Sequence, residues 1–189
     1  VDAENGVIRF PVHAPWGRDL PVRSDLAGVL SFPVEIYVDN LCRFAAYGEL
    51  WAHPAYADEK VVTISTENST GGCVLEHGQI QHGANGFLGE VGHIVVEPAS
   101  PLACTCGNKG CFETVVSPAA LLARAAEAAE RPGWQLVEKY KSGALIPADI
   151  FAAACAGDAL AEEIMDGVAR YFAVLVRNII LLCDPQRII

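Results

Sequence analysis

Three cysteines within one short run, Cys104-Thr105-Cys106-Gly107-Asn108-Lys109-Gly110-Cys111, constrain this chain more than any other feature. Cys104 and Cys106 bring two thiolates within reach of one ion. Gly107 and Gly110 let the backbone turn back, and Cys111 then supplies a third sulfur. A tetrahedral zinc needs a fourth donor, and His93, at the end of Gly89-Glu90-Val91-Gly92-His93, is the best candidate. Four protein ligands leave no open position for water, so the expected metal is structural. A reduced thiol cluster and a redox site are the alternatives. The other four cysteines, Cys42, Cys73, Cys155 and Cys183, stand singly in apolar surroundings and read as small buried hydrophobes. Seven cysteines without a secretory signal argue against a disulfide framework.

The chain has 189 residues, starts at Val1 and holds one methionine, Met165, so it is expected to be a piece of a longer polypeptide. Hydrophobic residues make up 52% and charged residues 19%, enough for a sizeable core. The net charge of −10 excludes this segment as a nucleic-acid surface, which needs clustered Lys and Arg. No apolar run reaches the roughly 18 residues that span a bilayer. The expected setting is cytoplasmic, with no membrane partner.

Periodicity predicts strands at Gly6–Phe10, Val34–Val38 and Lys60–Ser65, and a hairpin of Cys73–Leu75 with Gln79–Ile80 around His77-Gly78. Ser24-Asp25 is expected to cap a short helix through Leu30. Leu41–His53 reads as a helix with Phe44, Tyr47 and Leu50/Trp51 on one face. Thr66–Gly72 is a polar turn, and 86–110 a loop long enough to be functional. The second half is helical. Ser117 and Pro118 start a helix to about Glu130, and Trp134–Tyr140, Pro147–Ala156 and Ala159–Leu182 follow. Asp184-Pro185 ends the last one before a strand at Arg187–Ile189. The fold class is therefore α/β.

Gly89-Glu90-x-Gly92-His93, followed by Cys104-x-Cys106-Gly-x-x-Gly-Cys111-x-Glu113, resembles the signature of the ROK family of bacterial repressors and sugar kinases. Asp39-Asn40 with Ala45-Ala46-Tyr47-Gly48-Glu49 is similar to the family's Glu-Asn-Asp…Ala-x-Gly-Glu segment. Gly78-Gln79-Ile80…Gly83-Ala84-Asn85-Gly86 matches the hairpin before the signature, and Asp184–Ile189 the strand before a nucleotide-site glycine pair. The resemblance implies an actin-like ATPase, ribonuclease-H-like fold with sugar bound between two lobes. Residues 1–38 would end the N-terminal small lobe. Residues 39–189 would be the large lobe, with a zinc loop at about 86–113 and a helical half at 117–183, the whole truncated at both ends. It also implies that Asn40, Glu90, His93 and Glu113 hold the sugar hydroxyls, while His93, Cys104, Cys106 and Cys111 hold the zinc. His93 would then give one ring nitrogen to the metal and the other to the sugar.

Two departures separate the chain from the family's kinases. The kinase base is the Asp after the Asn of Glu-Asn-Asp, and here that position is Leu41, which cannot take a proton. Asp39 could stand in only with a shifted substrate. The glycine-rich phosphate loop falls on Glu67-Asn68-Ser69-Thr70-Gly71-Gly72-Cys73, which keeps two glycines and adds a negative charge. Base and cradle are lost while the sugar shell and zinc site are kept, so no catalytic residue is assigned. The expectation is the sugar-sensing effector part of a transcriptional regulator, a homodimer that binds DNA through an N-terminal helix-turn-helix outside this segment. An active sugar kinase with a divergent loop and a ligand-free dimerisation scaffold are the alternatives.

Overall fold

The β-branched run of Lys60–Thr66 (β1) and the apolar run of Thr70–Glu76 (β2) form the middle of a sheet, and every β2 residue but Glu76 is buried. A computed structural model describes residues 1–11, 15–66 and 69–189. β2 turns back through His77 and Gly78, at φ 50° and 69°, into β3 (Gln79–Gln81). Two successive positive φ values suit the right-handed twist of a two-residue hairpin. The last strand, β4 (Arg187–Ile188), pairs parallel with β1, Val61 opposite Arg187 and Val62 opposite Ile188. The sheet order is β3-β2-β1-β4.

The chain divides into two compact units. The first comprises Val1–Ile64, Gly72–Glu90 and Pro185–Ile189; the second comprises Ser65–Gly71 and Val91–Asp184. In the first, Ala46, Val61, Cys73, Leu75 and Ile80 form a core against which Tyr56 packs. Burial pushes the Cys73 thiol up to about 12, which suits an inert core residue. Helices α1 (Val22–Val29) and α2 (Leu41–Ala52) belong to this unit. Arg187 fastens β4 with two bonds to Glu59, at 2.7 and 3.0 Å.

The second unit is helical: α3 (Phe112–Val116), α4 (Pro118–Ala129), α5 (Val137–Lys141), α6 (Pro147–Cys155) and α7 (Ala159–Cys183). α6 packs on α7, and α3 on α4 and α7. Phe112 meets Phe172 edge-on, ring centroids 4.9 Å apart. The Ser117 hydroxyl caps α4 by accepting the Ala120 N–H, as the sequence predicts. Asp158 caps α7 through Leu160 and Ala161. Among the described residues no helix is long and apolar enough to cross a membrane.

Several expectations give way. Residues 34–38 alternate like a strand but join no sheet among the described residues; the Ile36 carbonyl instead accepts the Arg23 Nε–H at 2.9 Å. The strand expected at Gly6–Phe10 reduces to isolated bridges of Val7 with Asp2 and Ile8 with Leu20. α1 starts at Val22, before Ser24, whose hydroxyl donates back to the Pro21 carbonyl. Trp134 is buried ahead of α5 rather than within it. The buried face of α2 is not the aromatic one. Arg43 and Ala46 are buried, while Phe44, Tyr47 and Trp51 are 44%, 46% and 88% exposed. Within the polar turn, Glu67 and Asn68 lie outside the described residues.

Candidate functional site

The loop after Glu90 is held by backbone pairing at both ends. Val91–His93 makes a single 3-10 turn, and Phe112 N–H donates to the Ile94 carbonyl at 2.8 Å. Val95 bridges Cys111, and Ala103 bridges Lys109, so the chain folds over into a tight arch. Gly110, at φ 67°, is required here: a Cβ would run into the Glu97 carbonyl oxygen. Gly92 is required for the same reason against the Thr70 carbonyl. The Tyr171 hydroxyl donates to Glu97 Oε2 at 3.4 Å, tying the arch to α7.

That arch gathers the four residues the sequence singles out. A ring nitrogen of His93 and the Sγ atoms of Cys104, Cys106 and Cys111 all lie within 4.8 Å of one another. Cys104 Sγ is 3.4 Å from His93 Nδ1, and Cys106 Sγ is 3.6 Å from Cys111 Sγ. A tetrahedral ion at about 2.3 Å from sulfur sets its ligand atoms about 3.8 Å apart, so the donor set fits such an ion. Cys104 and Cys111 are buried and Cys106 is exposed. Burial, with the neighbouring thiols next, pushes Cys111 up to about 12, while the Asn108 backbone amide leads in lowering Cys106. A buried thiol that resists ionisation gains most from a cation, which deprotonates a coordinating thiol outright. Since Nδ1 faces the sulfurs, Nε2 is the nitrogen left on the far side of the ring.

The other residues divide between the units. Asn40 caps α2, its Oδ1 accepting the Cys42 N–H at 2.9 Å, and belongs to the first unit with the half-buried Glu90. Glu113 belongs to the second with His93. It is buried in the first turn of α3, two residues past the Cys111 N-cap, and its Oε2 accepts the Thr70 N–H at 2.8 Å. Leu41 is the first residue of α2 and 74% exposed.

A polar network beside Asn40 escapes sequence reasoning. Buried Arg43 donates to Asp39 Oδ1 at 2.9 Å, and His82 Nε2 lies 3.0 Å from Asp39 Oδ2. Burial alone would raise the Asp39 carboxyl. Arg43, His82 and the Asn40 N–H outweigh it and hold the group below its ordinary 3.8. The available signal is an Asp and an Arg four apart at the start of a helix, on the face that also carries Ala46.

Comparison with known proteins gives a uniform result. A model described as "ROK family" matches residues 1–189. The glucokinase of Halalkalibacterium halodurans is 35% identical, over 100% of this chain and 57% of the relative. The DNA-binding transcriptional dual regulator NagC of Escherichia coli is 30% identical, over 100% of this chain and 45% of the relative. The chain thus spans about half the length of the curated relatives it matches. A crystal structure of a ROK family transcriptional regulator, described as a homolog of the Escherichia coli Mlc protein, superposes with a TM-score of 0.82 at 28% identity. It covers 100% of this chain and 46% of that one. Its backbone places this chain in the actin-like ATPase fold.

Proposed function

The chain belongs to the ROK family, and from that premise we propose that it forms the sugar-sensing part of a transcriptional regulator without kinase activity. The observation that carries this is Leu41. It stands where the family's kinases place their base, and an aliphatic side chain cannot take the proton of an attacking hydroxyl. Asp39 offers no substitute. One of its oxygens accepts from Arg43 and from the Asn40 N–H, and the other faces His82. The would-be phosphate cradle supports the same reading. Thr70 to Cys73 lie in buried β2, the Thr70 N–H is taken by Glu113, and the Gly72 N–H by the Gly89 carbonyl at 2.8 Å.

Sugar recognition would rest on Asn40, Glu90, His93 and Glu113, whose amide, carboxylates and imidazole match hydroxyls that both donate and accept. His93, Cys104, Cys106 and Cys111 would hold a structural zinc. When bound, the metal supplies no reactive position but fixes the His93 tautomer and the arch. Residues 1–38 would close a small lobe and 39–189 form a large one. In a cytoplasmic homodimer, sugar-dependent closure would bias the orientation of basic helix-turn-helix segments outside residues 1–189.

A second reading, an ATP-dependent sugar kinase, is favoured by the 35% identity to a glucokinase. A coupled ADP-release assay on the full-length protein with a sugar panel separates the two. No turnover is expected, and turnover abolished by Glu90→Ala would overturn the regulator reading. Calorimetry with the same panel is expected to show binding. Absence of any binding at millimolar sugar would sink the sensor assignment.

A further inference from the structure

Arg43 is 2% exposed, and its guanidinium spans two pieces of chain more than forty positions apart. Nη1 donates to Asp39 Oδ1 at 2.9 Å; Nη2 donates to the Gly86 carbonyl at 2.7 Å and to the Leu88 carbonyl at 3.4 Å. Asp39 in turn fixes the Asn40 N–H at 2.8 Å, and Asn40 caps α2. On the other side, the 82–90 segment has little apolar anchorage, with Phe87 75% and Leu88 38% exposed. Its shape comes from polar contacts: the Leu88 N–H to the His82 carbonyl, the Glu90 N–H to the Phe87 carbonyl, and the two carbonyls on Arg43. His82 closes the circuit, since its ring meets Asp39 while its carbonyl supports Leu88.

We propose that Arg43 is a positioning residue of the sugar site: one buried guanidinium ties the Asn40 end of α2 to the backbone that leads into Glu90, and so sets where those two groups stand. This rests on the assignment of Asn40 and Glu90 to sugar binding. A buried guanidinium is costly to desolvate, and here three acceptors in fixed directions satisfy it. Lysine keeps the charge but has one short, strongly hydrated head that cannot reproduce the fork toward both Asp39 and the two carbonyls. Misplacing a recognition group by about 1 Å is enough to lose binding, so the clamp matters although Arg43 itself need not touch ligand.

The test uses the full-length protein with Arg43→Lys, and Val62→Ala as a control that loosens the core of the same unit without touching the clamp. Glucose, N-acetylglucosamine and xylose are titrated calorimetrically, and amide hydrogen exchange is followed across 82–90. In Arg43→Lys the best-bound sugar should weaken at least about tenfold, and the Leu88 and Glu90 amides should exchange at least about tenfold faster. α4 and the metal content should not change. Val62→Ala should lower the melting temperature while leaving both affinity and 82–90 exchange near wild type. Unchanged affinity in Arg43→Lys, or an equal loss in Val62→Ala, overturns the proposal. If wild type binds none of the three sugars, the sugar assignment fails. Exchange then decides the clamp by itself, and unaltered protection of Leu88 and Glu90 refutes it.

Discussion

Replacing Cys111 by serine is the most demanding test of the metal arch. Cys111 is fully buried, bridges Val95 and forms the N-cap of α3, so its sulfur is placed by backbone on both sides. Serine keeps the shape but offers a poor ligand for a borderline-soft ion. A structural four-donor zinc site binds with about 10–16 kcal/mol, so one donor accounts for about 2.5–4 kcal/mol, or from about a hundredfold to several hundredfold in affinity. If free metal stands at about 1,000 times the dissociation constant in the wild type, binding stabilises the fold by about 4.1 kcal/mol. A hundredfold loss reduces that to about 1.4 kcal/mol. The difference of about 2.7 kcal/mol corresponds to about 5–11 °C in Tm for a chain of this size. After a wash with a competing chelator that lowers free metal to about the wild-type dissociation constant or a little above, wild type should keep most of its zinc and Cys111→Ser almost none. A full excess of chelator should lower the wild-type Tm about three times as far as the variant's, in the ratio of about 4.1 to 1.4 kcal/mol. Cys73→Ser, at a buried thiol that is not one of the four candidate donors, should keep its zinc. Zinc retention and a chelator-induced Tm shift equal to wild type in Cys111→Ser would refute the assignment.

Three further outcomes follow from local geometry. Asp158→Ala should cost about 2 kcal/mol in thermal unfolding, the upper end for an N-cap, because its carboxylate also accepts the Gln135 N–H. Gly92→Ala should cost more than about 2 kcal/mol and lower zinc occupancy, since the added methyl meets the Thr70 backbone, which cannot step aside. The lowered Asp39 carboxyl contributes stability that is present above its ordinary 3.8 and drains as pH falls through its lower native value. Between wild type and Asp39→Asn, the gap in Tm should therefore be constant above pH 4 and narrow below it; a gap independent of pH would contradict the ion pair.

Where chemistry is written into spacing, the sequence is read correctly. The Cys104–Cys111 run names its own turn glycines and three of the four side chains that come together, and His77-Gly78 and Ser117-Pro118 are local signals with local causes. Burial is harder. Alternation at Val34–Val38 shows that the segment could face a sheet, not that a partner strand exists. On α2 the aromatic spacing of Phe44, Tyr47 and Trp51 points to the wrong face, because a guanidinium with three acceptors can be buried where hydrophobicity alone puts it outside. Those acceptors include the carbonyls of Gly86 and Leu88, which carry no side-chain signature at all. α3 is missed because five residues after the cysteine run are too few to show a period.

The way β4 joins β1 has a consequence for how the molecule is made. The Lys60 N–H donates to Gln186 Oε1, 126 positions later, with the whole 91–184 stretch in between. On the ribosome, the first unit emerges early but cannot be completed until that stretch has been translated. The helical unit, with its cysteine arch and the packing of the successive helices α3 on α4 and α6 on α7, is free to close first. The sheet must wait with one side of β1 bare, a slow, long-range pairing by its nature.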